Sequence, residues 1–138
     1  MVSQDTIKFA PHGHGASDIT ELIGSVIKDS NIKVGSCQLF AHSNQSSLFI
    51  HDTADEITKQ QTVDFLAQLA PSSDTSCKTI DECMNSIPES MYAAITQTTV
   101  AFPVSRGRPL LGIWQGIYLW EKSTKPEERK ITITIIGD

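Results

Sequence analysis

The sequence predicts an α+β domain, a mixed or antiparallel sheet with helices packed on it, and three patterns point there. Residues 107–121 alternate with period two, Leu111, Ile113, Gln115, Ile117 and Leu119 against Leu110, Gly112, Trp114, Gly116, Tyr118 and Trp120. Ile131, Ile133 and Ile135 alternate with Lys130, Thr132 and Thr134 in the same way. Alternation of β-branched and aromatic residues with polar ones is the mark of a half-buried strand. By contrast, Ile19, Leu22, Ile23, Val26 and Ile27 recur at the spacing that lines one face of a helix.

Each element has its own signal. Residues 6–10 read as a first strand, and Pro11-His12-Gly13-His14-Gly15 as a loop. Asp18 followed by Glu21 forms a variant of the capping box at the head of the first helix, which fades around Asn31. Residues 35–42 and 48–51 read as strands. Thr53 with Glu56 opens a second helix running to Leu69, ended by Pro71. Residues 72–78 are a polar loop. Pro88 starts a short helix through Ile95, where its missing N–H would have no helical partner anyway. A strand at 98–104, a turn at 105–107, the long alternating run, a turn at 123–128 and the last strand complete the chain. The three C-terminal strands are most simply an antiparallel meander.

Length and composition narrow the function classes. The 138 residues make one domain, residues 1–138, long enough for a core without disulfide staples. With a net charge of −5 and no basic cluster longer than Glu128-Arg129-Lys130, nucleic acid is not an expected partner. The start Met1-Val2-Ser3-Gln4-Asp5 lacks the apolar run of a secretory signal, and no stretch is long enough to span a membrane. Cys37, Cys77 and Cys83 are odd in number without Cys-x-x-Cys spacing, which fits a reducing cytoplasm and ordinary thiols.

Candidate chemistry centres on His42, His51 and Asp52. Imidazoles and a carboxylate at adjoining strand ends suit acid–base work or metal binding; the alternative is two surface histidines beside a helix start, with Asp52 and Asp55 complementing its dipole. Arg108 offers a planar fork for phosphate, or is a turn residue paired to Glu127 or Glu128. Trp114 is core, interface or stacking platform. Gln115 is a structural amide or orients a ligand. Gly112 and Gly116 flank Trp114 on its own face, where glycine lets another element or subunit come close.

Gly107-Arg108, three residues, Gly112-Ile113-Trp114-Gln115-Gly116-Ile117 and a closing Glu121 resemble the C-terminal signature of the YjbQ-like family. These are small bacterial and archaeal proteins of undefined role, some called secondary thiamine-phosphate synthases. The resemblance extends over nearly the whole chain: Asp18-Ile19-Thr20 resembles the start of the family's first helix, His42-Ser43 its His-Thr-Ser-Ala, and Pro71, Pro88 and Pro103-Val104 fall in place. It implies a YjbQ-like α+β fold, a homotrimer, and a pocket between subunits near His42, Asp52, Ser90 and Gln115. His42, Asp52 and Gln115 would be the catalytic residues, and Ser43, His51, Ser90, Arg108 and Trp114 would contact a small phosphorylated ligand. The chain departs from the pattern in places. His51-Asp52 stands one residue late for the family's Asn-Glu, Gln61 replaces an Asp, Pro88-Glu89-Ser90 replaces Pro-x-His, and a loop histidine is absent from residues 71–87. The implied activity joins a thiazole phosphate to a pyrimidine pyrophosphate, with Mg²⁺ arriving on the substrate. With the second histidine now Ser90, no tightly bound zinc, iron or other cofactor is expected. The alternative is a trimer that binds a ligand, or serves as a scaffold, without chemistry. His42 and Asp52 are expected within about one side-chain length of each other.

Overall fold

The computed structural model describes residues 1–11, 15–52, 96–123 and 127–138. Its elements are β1 (Val2–Phe9), β2 (Gly15–Asp18), α1 (Thr20–Ser30), β3 (Val34–Ala41), β4 (Ser46–Asp52), β5 (Thr99–Ser105), β6 (Arg108–Pro109), β7 (Gln115–Glu121) and β8 (Arg129–Gly137). The second and third helices expected from sequence lie outside the described residues.

The described strands form two antiparallel sheets, one ordered β1-β8-β3-β5-β6 and the other β2-β7-β4. Alternation decides what each strand buries. In the larger sheet Cys37, Leu39 and Ala41 of β3, Val100, Phe102 and Val104 of β5, and Ile131, Ile133 and Ile135 of β8 face one core. Leu48, Ile117 and Leu119 of the smaller sheet join it, as do Ile23 and Ile27 of α1. Each fully buried isoleucine or leucine contributes about 1.5–3 kcal/mol. The segment entering β5 ties the sheets together: the Leu48 amide donates to the Gln97 carbonyl (2.9 Å) and the Ala41 amide to the Thr98 carbonyl (2.8 Å).

The expected meander does not form. β8 lies between β1 and β3, and β7 belongs to the other sheet. The long run at 107–121 breaks into β6 and β7, because Gln115 turns the chain back: its amide N–H donates to the Gly112 carbonyl at 3.0 Å, and its side-chain Oε1 accepts from the Gly112 N–H at 2.6 Å. Among the described strands only β5–β6 is a hairpin, turned by Arg106 and Gly107 with φ of 55° and 73°. Two consecutive residues in the left-handed region match the twist of the flanking strands.

The capping box is also corrected. Asp18 precedes the cap position, and its carboxylate accepts from the Thr20 amide (2.9 Å) and hydroxyl (2.6 Å), with no side-chain bond from the N-cap residue Ile19. At the other end, Asn31 takes the left-handed conformation and its amide donates to the Lys28 carbonyl. The closest main-chain approach at a described glycine is at Gly35 and Gly137, which are register partners: a Cβ on either would run into the main chain of the other strand. At Gly116 a Cβ would meet Tyr118 and Thr20, both in this chain.

Candidate functional site

The expected site residues separate into two groups. His42 follows the last residue of β3, and its amide donates to the Lys130 carbonyl (3.0 Å). It lies on the outer face of the larger sheet, where its Nε2 is hydrogen-bonded to the Thr132 hydroxyl at 2.7 Å and its ring meets Phe40 edge-on at 4.8 Å. Thr132 continues to Thr6 at 2.9 Å, so a polar row crosses β3, β8 and β1. Ser43 stays local, its hydroxyl accepting from the Gln45 amide.

The second group sits at the far end of β4. Asp52 is the register partner of Gln115, and His51 that of Gly116. Neighbours along a strand point to opposite faces. Asp52 and Gln115 therefore share the face that carries Ile50 and Ile117 farther in, while His51 joins Phe49 on the other side. There the Phe49 ring stacks on Tyr118 at 5.6 Å, tilts against Trp120 at 5.6 Å and meets His51 edge-on at 6.1 Å. Burial, then the Asp18 carboxylate across the strand pair, raises the Tyr118 phenol above its ordinary pKa. Nδ1 of His51 donates to the Asp52 carbonyl at 2.8 Å.

His42 and Asp52 are not brought together. A strand begins at Ser46, and its seven residues carry Asp52 to the opposite end, a run of about 20 Å at the usual rise. The sequence shows two short strands in succession but not that they enter different sheets. Among the described residues, no three His, Cys, Asp or Glu side chains gather as a metal site. Ser90, His12 and His14 lie outside the described residues.

Trp114 is not core. It is 66% exposed, beside Ile113 at 89% and Leu110 at 57%, so the 110–114 connection is an apolar tip adjoining Gln115 and Asp52. Arg108 is exposed at the β5–β6 hairpin. The alternative partner Glu128 lies 3.9 Å from Lys8 instead.

Sequence reasoning also passed over the strongest ion pair described. Glu121 is fully buried; Arg129 Nε donates to its Oε1 at 2.6 Å and Nη2 to its Oε2 at 3.0 Å. Arg129 also reaches Gln45 Oε1 at 3.1 Å, and Glu121 Oε2 accepts the Ser123 amide. The signal was visible as a lone acid ending an apolar strand, answered by an arginine at the start of the next.

A family model described as UPF0047 protein YjbQ-like matches residues 5–138. The chain belongs to the YjbQ-like family. Its UPF0047 relatives include the protein sll1880 of Synechocystis, 29% identical over 135 residues (98% of this chain, 92% of that protein). MJ1081 of Methanocaldococcus jannaschii is 30% identical over 121 residues, 88% of this chain and 84% of that one. YjbQ of Escherichia coli O157:H7 is 24% identical across both chains. Among solved structures, a YbjQ-like protein of unknown function (SSO2532) from Sulfolobus solfataricus superposes with a TM-score of 0.75 at 22% identity, covering 100% of this chain and 99% of that one. The hypothetical protein APE1520 from Aeropyrum pernix gives 0.67 at 18% identity, covering 100% and 99%. At these identities the structures establish a shared fold. The chain is a diverged member of a YjbQ-like family of uncharacterised function.

Proposed function

We propose that the protein works as a homotrimer and holds a small phosphorylated ligand where the 110–114 tip of one subunit meets another, beside Asp52 and Gln115. The observation that carries this reading is the tip itself. Three large apolar residues stand in solvent directly before the strand end at which Gln115 faces Asp52. Exposed apolar clusters of this kind mark interaction surfaces.

Within such a site the side chains divide the work. Arg108 supplies a bidentate guanidinium for phosphate. Trp114 supplies a flat apolar wall. Gln115, its Oε1 already accepting from Gly112, keeps its amide N–H groups for the ligand. Asp52 is an exposed carboxylate, a hard oxygen donor suited to Mg²⁺ that enters on a pyrophosphate. The reaction to test is the one the family resemblance implies, joining a thiazole phosphate to a pyrimidine pyrophosphate with loss of pyrophosphate. Neutralising that leaving group is the catalytic demand. An odd number of cysteines without Cys-x-x-Cys spacing, with Cys37 free and buried, favours a cytoplasmic location.

The test is turnover of the two precursors with Mg²⁺, followed by pyrophosphate release. Weak turnover that falls with Asp52→Asn and Arg108→Ala, at unchanged oligomer mass, supports the reading; neither turnover nor binding of either precursor sinks it. A second reading, a trimer that binds without chemistry, is favoured by Ser90 in place of the family histidine and by the engagement of His42 with Thr132. Binding of a precursor without turnover selects it.

A further inference from the structure

We propose that Gly112 and Gln115 form a clasp that presents Ile113 and Trp114 to a second copy of this chain, which makes Gln115 a positioning residue for subunit capture. The inference rests on the homotrimer reading above and adds how the tip is held in shape.

The segment between β6 and β7 closes in a turn from Gly112 to Gln115. The Gln115 main-chain N–H donates to the Gly112 carbonyl at 3.0 Å, the bond that closes a β-turn. A second bond runs the opposite way, from the Gly112 N–H to Oε1 of Gln115 at 2.6 Å. A main-chain N–H can pair only with the oxygen of a carboxamide, so the orientation of this side chain is decided. The two bonds close a ring around Ile113 and Trp114. The base of the turn is rooted on both sides, by Leu111 against the core and by the buried Ile117.

The residues at the two corners run against turn chemistry. Gly, Pro, Asn, Asp and Ser dominate such positions, because they supply a special φ or bond to nearby main chain. An isoleucine and a tryptophan do neither, and these two are 89% and 66% exposed. In water their surface gains nothing; against a partner it supplies the burial that drives association. The chain also offers a surface to receive them. Val2, Val34, Phe40 and Ile136 stand exposed on the outer face of the larger sheet. A closed ring of subunits joins one surface of each chain to a different surface of the next, and the tip and the sheet face are two such surfaces.

The clasp supplies what such anchors need. A loose connection loses backbone freedom when a partner orders it; a turn ordered beforehand does not. Gly112 belongs to the same device. A Cβ there would stand 2.9 Å from Oε1 of Gln115 and 3.2 Å from its Cδ, so glycine makes the room for the side chain to fold over. The obstruction is the end of a side chain rather than main chain. Gly112→Ala therefore pushes Gln115 aside and opens the clasp without disturbing the sheets.

The test compares wild type, Gln115→Ala, Gly112→Ala and the double variant Gln115→Glu/Asp52→Asn by sedimentation velocity over a dilution series, with hydrogen exchange at the Gly112 amide read by NMR. Glutamate keeps an oxygen for the Gly112 N–H and loses the carboxamide N–H groups. Asp52→Asn removes the carboxylate of its register partner, which would repel it. Expected is slow Gly112 exchange in wild type and the double variant, and fast exchange in both alanine variants. The concentration at half-assembly should rise about tenfold or more in the alanine variants, the cost of ordering one further residue, and stay within about threefold of wild type in the double variant. Gly112→Ala repeats the test should Gln115→Ala fold poorly by circular dichroism. The inference is overturned by fast Gly112 exchange in wild type, by alanine variants that assemble as wild type does, or by a double variant as weak as they are. A wild-type trimer indifferent to the alanine variants leaves the homotrimer reading standing, whereas a single chain at every concentration ends both.

Discussion

Replacing Glu121 by alanine should be among the most damaging single changes outside the apolar core. The carboxylate is wholly buried, takes both ends of a fork from Arg129, and accepts the Ser123 amide. Alanine takes from the guanidinium, whose side chain is 12% exposed, the carboxylate that accepts two of its N–H groups, while Gln45 still accepts a third bond. Breaking a buried ion pair from one side costs about 3–5 kcal/mol, because the surviving charge loses the opposite charge and cannot replace it with bulk water. For a chain of this size that corresponds to a fall of roughly 10–20 °C in melting temperature. The pair also joins β7 of one sheet to β8 of the other, so its loss loosens the seam between the sheets. The Lys8–Glu128 pair is an internal control: at 3.9 Å, with side chains 64% and 56% exposed, its removal by Glu128→Ala should change stability by less than about 1 kcal/mol. Urea unfolding followed by the fluorescence of Trp114 and Trp120 measures both, at one protein concentration so that assembly does not enter the comparison. Equal midpoints for the two variants would refute the reasoning, as would a Glu121→Ala cost below about 1 kcal/mol.

Other consequences are as specific. Gly35→Ala or Gly137→Ala puts a Cβ into the main chain of the partner strand and should destabilise by about 1–3 kcal/mol or more in thermal unfolding. Gly24→Ala lies inside α1 with nothing within 4 Å of the new methyl, and should stabilise by about 0.5–1 kcal/mol in the same assay. Burial pushes the Cys37 thiol from the usual 9.0 up to about 12. Below pH 9.0 both folded and unfolded forms keep the proton; above it the unfolded chain ionises first, so this contribution to stability is lost as pH rises from 9.0 towards 12. Peptide mapping after iodoacetamide treatment of the native protein near neutral pH should find Cys37 unmodified, and its alkylation under those conditions would contradict the burial.

The strands and helix with a clean period were legible in the sequence. β3, β5, β8 and α1 fall within one or two residues of where the alternation and the isoleucine stripe put them. Sheet membership was not, because period two says which side chains share a face and nothing about which strand lies alongside. The run at 107–121 looked continuous for the same reason. Its interruption depends on one side-chain bond, from the Gly112 amide to Gln115, that no alternation rule contains. The site showed the same limit. Gln115 and Asp52 were both singled out, and register makes them neighbours; His42 and Asp52 were joined on chain proximity, which a seven-residue strand defeats.

Light scattering of the purified protein, with and without Ile113→Asp in the apolar tip, tests the central proposal most directly. Wild type should give three times the 15.1 kDa chain mass at micromolar concentration. The variant changes a side chain 89% exposed in the isolated chain, so its fold should persist. Its mass should drop to that of a single chain, with loss of any phosphorylated-ligand binding. A wild-type mass of one chain, or a trimer indifferent to the charge at Ile113, would contradict the account.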